Sequence, residues 1–388
     1  MKRSFQPRVS ASAAPIAALA LLLAPPAFAD KYAGEFLKAP VGPRAIGMGA
    51  AFTAVADDAT ASYWNPAGMV YLPYKEVVAM HSEKFGNLAN HDYLTAVLPL
   101  GGATGRRLAG GVSVIRMAVD DIPVTPRPEG LVPGQDFFDD GQDGRPNTND
   151  PGEGNGTWDN GERLNLSASN LFLASSSDLA VLMSVAWQRG AHWAFGTNLK
   201  FVRQNIPGDD AVYDATARKV TSVGHATSFG AGLDAGALYM PNDAITIGAT
   251  MHDLTTTYLA WNNGTHEVIA PTLDTGASFN FFPADRHAIT WAIDLAWGFE
   301  NRALDSQISM GSATADVRTG VEYWYRNTLA LRTGANGKDL DFGTGIRYKQ
   351  LGVDYAAALH RYFGSDSQDF PGDKDLGTTH LVSIGWSW

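Results

Sequence analysis

The chain has 388 residues, of which 45% are hydrophobic, 11% aromatic and only 18% charged, with 41 glycines. Charge this sparse, beside so much glycine and aromatic residue, points to strands and turns rather than to an ordinary soluble helical domain. The absence of cysteine excludes a disulfide framework, a zinc–thiolate site and a thiol nucleophile, and a formal net charge of -11 argues against nucleic acid as a partner.

Residues 1–29 have the layout of a signal peptide. Lys2, Arg3 and Arg8 form a positive start, Ala13 to Ala24 a short apolar run, and Ala27-Phe28-Ala29 a small-residue cleavage site. The apolar run is shorter than the roughly 20 residues that a spanning helix needs. Cleavage after Ala29 makes the mature chain more acidic, because three basic residues leave with no acidic one. Beyond Ala29 no run of about 18 apolar residues follows, so a membrane-spanning mature chain has to be a closed barrel.

Residues 30–73 do not read as a strand. Positions 42–69 run GPRAIGMGAAFTAVADDATASYWNPAGM. Gly47 and Gly49 permit close backbone approach, the alanines suit a confined space, and Asn65-Pro66 is a turn or helix-start signal. The combination of Arg44, Gly47, Gly49, Ala51 and Phe52, then Asp57-Asp58, then Trp64-Asn65-Pro66-Ala67-Gly68 resembles the opening of the PorV/PorQ family, within the wider FadL-like (FadL/TodX) group of outer-membrane barrels. The resemblance implies a fourteen-stranded barrel whose N-terminal segment folds into the lumen as a hatch, with Asn65, Pro66 and Ala67 on that plug. It also implies one of two roles. PorV-like members accompany type IX protein secretion and receive cargo at the cell surface. FadL-like members admit hydrophobic molecules through a binding pocket and a side opening, which here implies an apolar pocket beside Asn65 to Met69.

Residues 74–388 alternate with period two over barrel-length segments. Trp193, Phe195, Thr197, Leu199 and Phe201 form one face against Ala194, Gly196, Asn198 and Lys200. His287, Ile289, Trp291, Ile293, Leu295 and Trp297 stand against Ala288, Thr290, Ala292, Asp294 and Ala296, and Leu351, Val353, Tyr355, Ala357 and Leu359 against Gly352, Asp354, Ala356, Ala358 and His360. Such alternation separates the two faces of a strand. A soluble sandwich also alternates, but its strands usually run about 5–6 residues, and tilted membrane strands about 9–11. Trp193, Trp297 and Tyr348 sit at segment ends, where interfacial aromatic girdles belong. Segments near 75–83, 91–100, 107–118, 178–188, 192–205, 225–238, 243–253, 271–282, 286–299, 315–325, 328–335, 340–349, 351–362 and 379–388 make an even count of about fourteen. The prediction is therefore an all-β transmembrane antiparallel barrel with a small N-terminal luminal plug. Asn336-Gly337 and Pro241-Asn242-Asp243 read as short turns. The stretches 119–166, 206–224, 255–270 and 363–378 read as long outer loops.

The loop 119–166 is acidic and holds the one metal candidate, calcium. Asp139, Asp143 and Asp150 have partial calcium-loop spacing. Glu153, Asn155, Asp159 and Glu162 match positions of an EF-hand-type loop whose first ligand position is taken by Pro151. The alternative is a solvated surface loop. His91, His192, His225, His252 and His380 are scattered and read as solvated or interfacial. With no nucleophile elbow, phosphate loop or zinc spacing, the expectation is that the protein is not an enzyme.

The last segment, His380 to Trp388, puts Val382, Ile384, Trp386 and Trp388 on one face and stops on an aromatic. It resembles the C-terminal signal read by the outer-membrane barrel-assembly machinery, with Trp388 where Phe is usual. The expected setting is the outer membrane, with its lipid and that machinery as partners. The expected role is a surface component of protein secretion that meets cargo proteins. The alternative is a transporter of a hydrophobic ligand.

Overall fold

A computed structural model describes residues 34–360 and 378–388, apart from 102–106, 125–131, 135, 160–161, 166–171, 209–210, 215–218, 300–305, 312 and 338. The signal segment and the outer stretch 363–377 lie outside the described residues.

Fourteen strands form the wall. They are β1 (Glu76–Lys84), β2 (Ala89–Pro99), β3 (Leu108–Val124), β4 (Phe172–Arg189), β5 (Trp193–Pro207), β6 (His225–Asn242), β7 (Ile245–His252 and Thr257–Trp261) and β8 (His266–Ile269 and Thr272–Ala284). β9 (His287–Gly298), β10 (Ala313–Tyr325), β11 (Leu329–Asn336), β12 (Asp339–Tyr348), β13 (Leu351–Leu359) and β14 (Thr378–Ser387) complete it. Each strand pairs antiparallel with the next. β14 then pairs with β1, from Glu76↔Ser387 to Glu83↔His380. Closure leaves no free edge, so every ladder group finds a partner within the wall, as hydrocarbon demands. Among the described residues no helix is long and apolar enough to cross a membrane.

The predicted faces separate as the alternation requires. On β5, Ala194, Gly196, Asn198, Lys200 and Val202 are buried inward, while Trp193 and Leu199 are exposed on the outer face. On β9, Ala292 and Asp294 point in and Trp291 and Ile293 out. The turn 190–192 and its counterparts 243–244, 285–286, 326–328 and 349–350 are short, and with the termini they mark the periplasmic end. At that end Trp187, Trp193, Phe281, Phe282, Tyr348, Trp386 and Trp388 form an exposed aromatic girdle. Asn242 closes one such turn by accepting from the backbone N–H of Ala244 and of Ile245 at 2.9 and 3.0 Å.

Three outer loops carry more structure than the sequence suggests. β3 runs on to Val124, past the expected loop start, through a register shift between Val119 and Ile122. The stretch 255–270 is not a plain loop. Thr257–Trp261 and His266–Ile269 pair with each other and extend the β7–β8 hairpin outward. Its strand signal is hidden because Asp253 and Thr256, both at positive φ, break β7 into two pieces. Within 206–224, Val212–Asp214 pairs with Lys219–Ser222.

Residues 34–73 fill the lumen. They form two short α-helices, Pro43–Gly47 and Ala61–Trp64, and two 3-10 turns, Glu35–Lys38 and Pro66–Tyr71. Met48, Ala51, Phe52, Ala59, Ala61, Ala67 and Met69 are fully buried, packed on one another and on Val97, Ala109, Ala186, Ala194 and Leu238 of the wall. Short helices of this length are not stable alone. Here the barrel supplies the other half of their core.

Candidate functional site

Glycines of the wall let the plug backbone lie against it. A Cβ at Gly334 of β11 would collide with the backbone of Met48 and Gly49, and one at Gly320 of β10 with the Met48 carbonyl. Gly196 and Gly236 do the same for Pro66, Ala67 and Asn65. The sequence motif is the other side of this contact. Gly47 approaches Gly343 with no room for a side chain, and Gly49 adopts a φ of +63 beside Ala335. Gly68 lies flat on the Ala56 carbonyl. Asn65 caps the following turn by accepting from the Ala67 N–H at 3.2 Å, and its amide donates to the carbonyls of Thr53 at 2.9 Å and Ala237 at 3.2 Å. Pro66 opens that turn, and the Trp64 indole donates to the Val41 carbonyl at 3.0 Å.

Charge fixes the plug as well as shape. Arg44 donates to Glu322 of β10 through two bonds, at 2.8 and 2.9 Å, and to Asp57 at 2.5 Å and Asp58 at 3.0 Å. Burial by itself lowers the Arg44 pKa, but Asp57, Glu322 and Asp58 outweigh it and hold the value well above that of a free arginine. The chain of charges continues into the wall. Arg332 contacts Glu322 at 2.6 Å and Asp354 at 2.8 Å, and Arg347 contacts Asp354 at 2.7 Å. Asp294 accepts from the backbone N–H groups of Phe52 and Thr53, both at 2.8 Å. On the opposite side Lys200 lies 3.0 Å from Asp234 and 2.7 Å from Asp253. Buried charges persist only when paired, and these pairs tie plug to wall or strand to strand.

The lumen also carries an apolar cluster, which reaches the register row of Lys200 at Leu182. Met80, Tyr93, Ile115, Ala180, Leu182, Val202, Leu259, Ile269, Ala356, Ala358 and Leu381 all point inward and are buried in one cluster. The arm that leads into the plug lies in this belt, with Phe36, Val41 and Ile46 packed against it and Leu37 half-buried. Tyr63 donates to the carbonyls of Leu37 at 2.8 Å and Ala39 at 3.2 Å. Next to the belt, Ser82 Oγ, both ring nitrogens of His91 and Asp341 Oδ1 are buried with no hydrogen-bond partner among the described residues.

The motif residues lie in the lumen, and the apolar belt does not lie beside Asn65 to Met69 as the FadL-like resemblance implied. Asn65 to Met69 pack into the plug's own core, and the luminal belt lies beside Phe36 to Ile46 instead. A signal for the belt did exist, in runs apolar on both faces such as Val114-Ile115, Val181-Leu182-Met183 and Leu381-Val382. Two histidines were also misread. His91 is fully buried, and His252 lies inside, 3.6 Å from Asp274. His192 and His380 do sit at the surface, bonded to the Met240 carbonyl and the Tyr355 hydroxyl.

In the acidic loop the carboxylates named for calcium make other contacts among the described residues. Among the described residues no group of three or more His, Cys, Asp or Glu side chains could hold a metal ion. The reason is local, because the carboxylates turn to backbone N–H groups. Asp139 accepts from Gly154 and Gly156 at 2.9 and 2.7 Å, Asp150 from Asp143 at 2.9 Å, and Glu162 from Gly141 and Asp159 at 3.2 and 2.8 Å. Glu153 accepts from Asn147, Thr148 and Asn149, and Asn155 donates to Asp159 at 2.7 Å. At the other terminus Trp386 and Trp388 are exposed on the outer face. The Trp388 backbone exchanges bonds with Lys75 at 3.0 and 3.2 Å and so closes the barrel seam.

Residues 4–113 match the uncharacterised protein family UPF0164, a stretch that ends early in β3. No curated protein matches the chain. Among solved structures, the toluene transporter TodX of P. putida aligns at 12% identity over 89% of this chain and 97% of its own, with a TM-score of 0.48. A FadL homologue from Pseudomonas aeruginosa aligns at 11% identity over 88% and 96%, with a TM-score of 0.42. The translocator domain of the autotransporter NalP from Neisseria meningitidis aligns at 9% identity over 81% and 89%, with a TM-score of 0.36. The closed wall, its outward apolar face and its aromatic girdle are those of an outer-membrane barrel.

Proposed function

We propose that this barrel admits hydrophobic small molecules across the outer membrane, with the plug as a displaceable hatch. The observation that carries the reading is the apolar belt inside the lumen. A channel for water and ions gains nothing from burying Ile115, Leu182, Val202, Leu259 and Leu381 inward. An apolar solute gains about 25 cal/mol for each Å² of its surface that such a lining removes from water. The arm at Phe36 and Leu37 packs in the belt, and that apolar contact is of a kind that a hydrophobic solute can replace. A role in receiving secreted cargo is supported by the N-terminal motif resemblance alone, and the residues of that motif pack the plug and latch it to the wall.

The test is uptake of the fluorescent hydrophobic probe N-phenylnaphthylamine by cells expressing the barrel. Leu182→Asp with Leu259→Asp is expected to reduce barrel-dependent uptake about a hundredfold, since each buried side chain of this size is worth at least about 1.5 kcal/mol. Unchanged uptake with folded protein at the surface would refute the reading.

A further inference from the structure

The lipid-facing side carries a site that the luminal reading does not use. Arg203 of β5 points outward, because its neighbours Val202 and Gln204 are buried in the lumen. It pairs across the sheet with Leu179 of β4 and Phe229 of β6. Ten positions separate it from Trp193 in the periplasmic girdle. At about 3.3 Å per residue and a tilt of about 40°, that is roughly 25 Å of membrane height, the full depth of an outward apolar band.

The residues around Arg203 mark the same level independently. Below it the outward face is apolar, with Val181, Phe201 and Ala231 in one register row and Met183, Leu199 and Leu233 in another. Above it the outward row is Ser177, Asn205 and Thr227, all polar. Phe229 and Tyr258 are exposed beside it, and the Phe201 and Phe229 rings stack at 6.4 Å. Arg203 therefore stands where the outer leaflet's headgroups begin.

At this level a pocket of about 300 Å³ opens between β5, β6 and the outer part of β7. Arg203, Thr227, Phe229, Ala260 and Asn262 line it. Its floor is built, since Asn262 accepts from the Thr227 N–H at 3.1 Å and donates to the His225 carbonyl at 3.2 Å. Arg116, two strands away in the same register row, spends its charge on Asp92 at 3.2 Å. No described carboxylate takes Arg203 in that way.

We propose that this pocket binds the phosphate of an outer-leaflet phosphoglycolipid, with Arg203 and Thr227 on the phosphate and Phe229 and Ala260 against the apolar part. Charge complementarity selects an anion, because a guanidinium that no described carboxylate takes, at the edge of hydrocarbon, suits a phosphate. The location selects a lipid over a free ion. A chain of net charge -11 does not concentrate dissolved phosphate, whereas the membrane holds lipid phosphate at this height.

The test is native mass spectrometry of the full chain in phosphatidylethanolamine nanodiscs doped with bisphosphorylated lipid A, with phosphate-free lipid A as the comparison. Wild type is expected to retain the bisphosphorylated form about tenfold better than Arg203→Gln or Thr227→Val together with Arg203→Gln, as loss of a charge-assisted bond implies. Arg203→Lys should fall between. Equal retention by Arg203→Gln, or of the phosphate-free lipid by wild type, overturns the proposal. So does full displacement by millimolar inorganic phosphate, which would make it a free-anion site. Heat-modifiable gel migration reports folding of each variant. Probe uptake should be unchanged in Arg203→Gln, which keeps this site separate from the transport reading.

Discussion

Replacing Arg44 with methionine removes the plug's charge latch while keeping much of its bulk. Arg44 is 13% exposed and Glu322 1% exposed, so the pair sits largely out of water. Removing one partner of a buried pair costs about 3–5 kcal/mol, chiefly because the other charge stays behind. Glu322 keeps Arg332 at 2.6 Å, and Asp57 is 55% exposed and screened by solvent, which places Arg44→Met at the low end. About 3 kcal/mol corresponds to roughly a hundredfold rise in the population of plugs released from the wall. The chain lacks cysteine, so a single Ala51→Cys supplies a unique and fully buried probe in the plug. With opening fast relative to modification, the maleimide labelling rate follows that population and should rise about a hundredfold in Arg44→Met. Arg44→Lys, which keeps charge but not the two-pronged geometry, should rise about tenfold. A labelling rate within about threefold of the parent, in a barrel that still shows heat-modifiable migration, would refute the latch.

Three further outcomes follow from the same contacts. Gly334→Val drives a side chain into the backbone of Met48 and Gly49; overpacking of this kind costs about 1–3 kcal/mol and should speed labelling at Ala51→Cys about tenfold or more. Deleting Trp388 removes its two backbone bonds to Lys75 at the seam between β1 and β14. It should lower the folded, heat-modifiable fraction several-fold in a pulse–chase, and normal assembly kinetics would count against a role for the terminus. Limited proteolysis between Asp139 and Glu162 should be the same in calcium as in chelator, since the carboxylates there already hold backbone N–H groups; protection by calcium would show that they rearrange into a ligand set.

The wall and the plug were legible from the chain to different depths. Alternation is a local property, since residues two apart share a face whatever the partner strand. All fourteen strands and the seam at 379–388 could therefore be placed from the chain, as could the outward aromatics Trp193, Tyr348 and Trp388. Glycine, alanine and Asn65-Pro66 likewise announced a compact non-strand segment before β1. Two kinds of feature were beyond that reach. Breaks in a strand, such as Asp253 to Thr256, hide the periodicity, and so the outer half of the β7–β8 hairpin passed for loop. Contacts across the barrel have no local signature at all: Arg44 and Glu322 are 278 positions apart. Nothing in either neighbourhood says that they meet. The apolar belt has the same origin. Leu182, Leu259 and Leu381 become a lining only when the wall closes and gathers their inward faces into one cluster with Phe36. The sequence by itself determined that the chain makes a barrel and puts a plug before it. Closure of the tertiary structure decided what the plug touches, where the lumen becomes apolar, and that Arg203 stands on the outward face.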